Sequence, residues 1–406
     1  MKPLHSTNEA SAKIERVATE NSSTNAYNRN MNYNNENVNR NNNNKTNLFS
    51  IRCLQPCEGE LGKPNSSLFA ELHRAYMDAR KHKRNTLNQL KFERNLESEL
   101  LSLCQEVENR TYEIKPRICF ISKVPVKREI IAASFRDRVI HHFIYNRIYH
   151  IFDKLFIYDS YSCRIGKGTL FGIKRVHKFL KSQNEWVLRL DVKGFFMAID
   201  RNILFNLIMK GLSKKNNVCE LMEFLIHKVV FNEPLKNARF KSPPNDWIDL
   251  PKDKSLKFSA PDCGLPIGNL TSQIFANVYL NPLDQFIKRD LKIKCYGRYV
   301  DDLVLIHKDK EILLNAISHI RDYLKDELKL TLHPNKIKLQ QASKGFSFLG
   351  AYIYPNSVIA GKRIVDNFRN CIFNPISNRE KQNHRVNSYL GLMSHFNGNG
   401  FGGIRL

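Results

Sequence analysis

The chain has 406 residues, 42% of them hydrophobic and 25% charged, with a formal net charge of +25 and a pI of about 9.7. That is apolar material for one large or two to three ordinary domains, and too much positive charge for a protein without a polyanionic partner, since contact with phosphates releases counterions. The polar N-terminus and the lack of an apolar run of about 18 residues argue against a signal peptide and a membrane-spanning helix, and predict a cytoplasmic chain with no membrane partner. The nine cysteines are scattered and odd in number. Cys53 and Cys57 have no second pair at zinc-ribbon spacing, so all nine are read as reduced thiols.

Residues 1–47 form an Asn-rich tail with almost nothing to bury, and disorder is predicted there. From Ser67, Leu68, Phe69, Leu72, Tyr76 and Met77 recur at helical spacing, and Leu90, Phe92, Leu96, Leu100, Leu101 and Leu103 mark a second helix. The basic run Arg80–Arg84 between them reads equally as a solvated face or as a contact to nucleic-acid backbone. Tyr112 to Val126 is expected to form two short strands joined by a turn. Next comes Arg128, whose guanidinium can grip a phosphate with two parallel N–H bonds. Arg138, beside Asp137 at a helix start, reads as a phosphate ligand or as half of an ion pair. His141 and His142 fall on different faces of that helix, which favours packing or phosphate contact over metal binding. The segment Tyr158–Thr169 is a glycine-containing basic turn with Arg164 and Lys167, ahead of a helix from about Leu170. Such turns offer backbone N–H groups and charge to phosphates, although the glycine spacing is not that of a Walker motif.

A short apolar strand, Trp186 to Asp191, delivers one carboxylate at its end and is followed by Phe195 and Phe196. Helices are expected at 202–209 and 219–230, and a polar, Pro-containing loop at 232–262. The block from Gly264 to Gln273 leads into a long amphipathic helix through Ile274, Phe275, Val278, Tyr279 and Leu283, with Thr271 or Ser272 as its cap. Then Tyr299-Val300-Asp301-Asp302 precedes Leu303, Val304, Leu305 and Ile306, the pattern of a β-hairpin with two carboxylates at its turn. Hairpin turns normally carry Asn-Gly or Asp-Gly, and adjacent like charges repel. Either the turn is simply solvated or a cation sits on it. With Asp191, the pair could hold two Mg²⁺ about 3.5–4 Å apart, or Mn²⁺ in their place. A helix over about 311–328, Lys336 in the segment His333–Leu339, a tight turn and strand at Gly345–Ile353 and a basic helical segment, Arg363 to Phe401, complete the chain.

From about Phe69 to about Phe396 these ordered blocks resemble a bacterial reverse transcriptase. The resemblance implies an α+β right-hand polymerase: N-terminal helices and fingers over 48–180, a palm with an antiparallel sheet flanked by helices over 181–350 with the insertion at 232–262, and the end of the primer grip with a short helical thumb over 351–406. It implies that Asp191, Asp301 and Asp302 are the catalytic carboxylates and metal ligands, and that Phe196 is a steric gate against a ribose 2′-hydroxyl. Arg128, Arg164 and Lys167 fall in blocks that meet template and triphosphate. Lys336 matches a lysine near the triphosphate, a candidate proton donor to pyrophosphate, against the alternative of a surface lysine.

Most members of the family carry Gln where this chain has Ile267, and Pro where it has Gln273. The form seen here resembles polymerases of diversity-generating retroelements and antiphage "unknown group" reverse transcriptases. An apolar side chain beside the nascent base pair would constrain it less, so low fidelity is expected. The implied activity is RNA-directed DNA synthesis: cDNA made from an RNA template, a DNA primer or self-primed end, and dNTPs. An accessory protein is the partner expected of a retroelement role, a noncoding RNA that of a defence role, and both stay open. A nucleic-acid-binding protein that kept the fold and lost catalysis is the rival from another class; a polymerase with a DNA template or an RNA product is a third. No nuclease-like segment is present, so RNase H activity is not expected.

Overall fold

The computed structural model describes residues 66–81, 86–123, 126–213 and 219–396. The Asn-rich tail, Cys53 and Cys57, His82 to Arg84 of the basic run and the glycine-rich end lie outside the described residues. In chain order the principal elements are α1 Ser66–Arg80, α2 Leu87–Arg94, α3 Leu96–Glu108, β1 Ile118–Ser122, β2 Arg128–Ala132, α4 Phe135–Leu155, α5 Thr169–Phe179, β3 Trp186–Asp191, α6 Arg201–Ser213, α7 Glu220–Val230, β4 Arg239–Phe240 and α8 Leu270–Gln285. There follow β5 Cys295–Tyr299, β6 Asp302–His307, α9 Lys310–Leu328, β7 Lys338–Gln341, β8 Phe346–Phe348, β9 Ala351–Ile353, β10 Val358–Ala360, α10 Lys362–Phe373 and α11 Arg379–Met393. They fall into two compact units, one of residues up to 156 with 194–281, the other of 157–193 with 282–406.

The first unit is built on α4. Its N-terminus is set by Ser134, whose hydroxyl oxygen accepts from the Asp137 amide at 3.1 Å, while the Asp137 carboxylate accepts from the same hydroxyl at 2.8 Å. Val139, Ile140, Phe143, Ile144 and Ile148 are buried at helical spacing, and α1 lies along the helix with Leu72, Ala75 and Tyr76 buried. A small sheet, in the order β2-β1-β4, pairs β1 with β2 antiparallel and with β4 parallel. The strand expectation is corrected here: among the described residues from Tyr112 to Val126 there is one strand, and its antiparallel partner begins only at Arg128. The loop 232–262 is less open than its polar composition predicts. It supplies β4, and Glu129 of β2 accepts from the Ser255 hydroxyl at 2.6 Å and the Leu256 amide at 2.9 Å. Thr271 and Ser272 are not caps either, because α8 starts at Leu270 and both side chains are buried inside its first turn. The Thr271 hydroxyl bonds instead to His141 Nδ1 at 2.8 Å.

The second unit centres on a four-stranded antiparallel sheet, β5-β6-β3-β7. Leu303 to Ile306 in β6 are all buried, the pattern of a strand covered on both faces. Helix α9 packs on β6 and β3, and α5 packs on β5. Val187, Val304 and Ile306 join Ile173, Val176 and Phe179 in one core with Phe346, Phe348 and Ile353 from the meander β8-β9-β10. Leu349 and Gly350 turn that meander with φ of +50° and +87°. The helical end expected after Arg363 is the pair α10 and α11.

Candidate active site

All three carboxylates lie in the second unit, at one end of its sheet. Asp191 is the last residue of β3, and its register partner in β6 is Asp302. Directly opposed residues of an antiparallel pair stand about 5 Å apart at Cα. Asp302 is also the partner of Tyr299 across the hairpin, so the turn is Val300-Asp301. No glycine is there because Val300 takes the left-handed conformation, at φ +55°, and thereby turns the chain. Burial pushes the Asp301 carboxyl up to about 7, helped by the charges of Asp302 and Asp191 and opposed by Lys336. Asp302 is raised for the same reasons, burial first and Asp191 second.

An ammonium lies against this cluster. Lys336 Nζ donates to both oxygens of Asp191, at 3.0 and 2.9 Å. Its segment is held beside β3: the His333 amide donates to the Asp191 carbonyl at 2.8 Å, and the Lys193 amide to that of Thr331 at 2.9 Å. Among the described residues no group of three or more His, Cys, Asp or Glu already forms a metal cage. The carboxylates form an open set of hard oxygens, and that donor chemistry suits Mg²⁺ or Mn²⁺.

Behind the hairpin lies a buried polar layer that sequence reasoning missed. Arg298 and Asp284, both fully buried, form a two-pronged ion pair at 2.7 and 2.6 Å, and Asp284 also accepts from the Tyr296 hydroxyl at 2.7 Å. Asp159 accepts from Arg175 Nε at 2.7 Å and Lys288 Nζ at 3.3 Å. A signal for Arg298 existed: it shares a strand face with Tyr296, two residues earlier, in a strand buried at its centre.

The other predicted residues divide. Phe196 and Ile267, 71 positions apart, pack against one apolar cluster of the first unit, that of Cys119, Ile131, Met197 and Leu256. The Phe196 carbonyl accepts from Leu265, and the Ile267 carbonyl from Ile131. Gly268, at φ +122°, needs no side chain where the loop turns close to β2. Arg128 is exposed at the start of β2, and Gln273 lies half-buried in the first turn of α8. Arg164 and Lys167 are engaged by their own loop. Arg164 donates to the Ile157 and Ser160 carbonyls at 2.6 and 3.2 Å; Lys167 donates to the Tyr158 carbonyl and lies over the Tyr158 ring. Asp137 is not paired with Arg138 but accepts from the Tyr112 hydroxyl at 2.6 Å, and Arg138 Nε donates to the Ala133 carbonyl at 3.3 Å.

An antiparallel sheet that ends in opposed carboxylates, within an α+β chain, defines a nucleic-acid polymerase of the right-hand class. The chain belongs to the reverse transcriptase (RNA-dependent DNA polymerase) family, whose model matches residues 123–353. It is 24% identical over 302 residues to protein YkfC of Escherichia coli, covering 65% of this chain and 73% of that one. It is 22% identical over 275 residues to the group II intron-encoded protein LtrA of Lactococcus lactis, covering 67% of this chain and 41% of LtrA. Among solved structures, apo telomerase from Candida tropicalis superposes with a TM-score of 0.44 at 12% identity, over 69% of this chain and 57% of that one. The chain thus spans about two fifths of LtrA and just over half of the telomerase chain. No helix of the described residues is long and apolar enough to cross a membrane.

Proposed function

We propose that this chain copies an RNA template into cDNA by two-metal nucleotidyl transfer, with Asp191, Asp301 and Asp302 as metal ligands. The supporting observation is the register that sets Asp302 against Asp191 with Asp301 at the adjoining turn. Two divalent ions held there would activate the primer 3′-hydroxyl and neutralise charge on the departing pyrophosphate. The protein's own share is to present the carboxylates from rigid strand ends and to hold a proton donor, Lys336, at the same place. Phe196 selects deoxyribose, Arg128 contacts phosphate, and Ile267 with Gln273 borders the nascent pair.

The test is extension of a DNA primer on an RNA template with dNTPs and Mg²⁺. Asp191→Asn and Asp301→Asn each lose at least roughly 10³-fold in rate while RNA affinity stays within about threefold. Extension retained in either variant overturns the assignment. RNA binding without extension by the unaltered chain favours a binding protein with a silent polymerase fold. Replacing Ile267 by Gln raises fidelity on the same templates; equal misincorporation removes that role. The biological setting is a diversity-generating retroelement with an accessory protein, or antiphage defence with a noncoding RNA. Sequencing the nucleic acid that co-purifies separates them: a repeat-matched template marks the first, a dedicated noncoding RNA the second.

A further inference from the structure

Arg298 is among the largest side chains that solvent does not reach at all. A buried ion pair is poor evidence of stabilisation, because desolvation offsets the attraction and apolar residues of similar size often do as well. The pair with Asp284 therefore calls for another account, and its third arm supplies one. Arg298 Nη1 donates to the Val300 carbonyl at 2.9 Å, and Nη2 reaches the Ser160 hydroxyl at 3.4 Å. Val300 is a β-branched residue with φ of +55°, which persists only where its surroundings enforce it. Its carbonyl belongs to the peptide that leads into Asp301. The guanidinium thus spans from Asp284, in the last turn of α8, to the one peptide that sets the direction of the hairpin tip.

The backbone of Arg298 is fixed as well. Its amide donates to the Asp159 carbonyl at 2.9 Å and its carbonyl accepts from the Tyr161 amide at 2.9 Å. The frame that carries the guanidinium is therefore rigid on both sides.

We propose that Arg298 and Asp284 are positioning residues of the carboxylate site: the buried guanidinium grips the Val300 carbonyl and so fixes how Asp301 and Asp302 leave the turn. The inference rests on the metal-binding reading of those carboxylates given above. Lysine at 298 keeps the charge but lacks the fork that serves Asp284 and Val300 together. The double variant Arg298→Met with Asp284→Leu removes the grip without stranding a buried charge.

Two readouts test it on the full chain: Mn²⁺ affinity by electron paramagnetic resonance, with Asp301→Asn marking the signal of the site, and the kinetics of primer extension. Arg298→Lys and the double variant are expected to melt within a few degrees of the parent. They should bind Mn²⁺ about tenfold more weakly and lose about 100-fold in kcat, with KM for dNTP changed less than threefold. Parental Mn²⁺ affinity in the folded double variant overturns the proposal, as does a kcat loss that only follows the folded fraction. If the parent extends no primer yet the variants still lose Mn²⁺ affinity, the polymerase reading fails and the positioning role stands. If the parent extends primers and the variants match it in both readouts, the reverse holds.

Discussion

At the scale of the residue, Lys336 shows what a site can gain from a weak interaction. Its ammonium chelates Asp191, yet about half of the lysine side chain is exposed, and exposed pairs contribute only about 0–1 kcal/mol. What the contact provides is a protonated amine held against a carboxylate. Lys336→Gln should leave the urea midpoint nearly unchanged while lowering kcat for primer extension about 100-fold, the scale of losing a general acid. That Asp191, Asp301 and Asp302 come together at one end of the sheet was legible, because an apolar strand ending in Asp and a glycine-free hairpin fix where each carboxylate falls, although each alone has an ordinary use as a strand cap or a solvated turn. Arg298 carried only a weak signal, its shared face with Tyr296, because a charged residue in a five-residue strand reads as surface until the segment Asp159–Tyr161 is seen to pair along that edge. Arg164 and Lys167 show a different limit of the sequence. Glycine and positive charge mark a phosphate loop or a loop whose cations bind its own carbonyls, and composition does not separate the two.

At the scale of the element, strongly periodic stretches were legible and contested ones were not. Four apolar residues after the Asp pair gave β6, and the spacing after Leu270 gave α8. Between Tyr112 and Val126 the alternation reflects a buried side chain at Tyr112 and one strand, not two, because Pro116 interrupts the earlier half. Two predictions belong here. Gly297 in β5 lies against Tyr161; a Cβ there would meet the phenol oxygen at 2.3 Å and Cε2 at 2.8 Å. Gly297→Ala should therefore destabilise by about 1–3 kcal/mol, visible as a lower urea midpoint with unchanged slope. The second concerns α4. Burial holds His141 well below the usual imidazole range and lowers His142 to about 4, against 6.5 for the free side chain. Unfolding frees both to take up protons, so their contribution is complete above pH 6.5 and is lost as pH falls toward 4. The difference in unfolding free energy between pH 7.5 and pH 5, taken from urea titrations, should shrink in His142→Gln by roughly 1 kcal/mol once partial exposure is allowed for. Equal differences in parent and variant would show that His142 titrates alike in both states.

At the scale of the whole molecule, the composition argues for a polyanionic partner. An excess of 25 positive charges over 406 residues is far more than solubility requires, and it is not concentrated in the Asn-rich start. Residues 1–65 hold eight Lys or Arg against six Asp or Glu, so nearly all of the excess belongs to residues 66–406. A polymerase that tracks along a template needs affinity without sequence preference, and phosphate contacts supply it. Such binding is driven by counterion release and must weaken with salt. If about six phosphates of a single-stranded RNA are neutralised, log K falls with log salt at a slope near −4, a loss of roughly 10²–10³-fold between 50 and 200 mM. Fluorescence anisotropy with two unrelated RNAs of equal length should give the same slope for both, and for Asp301→Asn as well, since that change leaves the basic surface in place. A flat salt dependence, or a slope that differs sharply between the RNAs, would mean that base recognition and not charge governs association. In that case the excess of lysine and arginine would need another explanation than a template path.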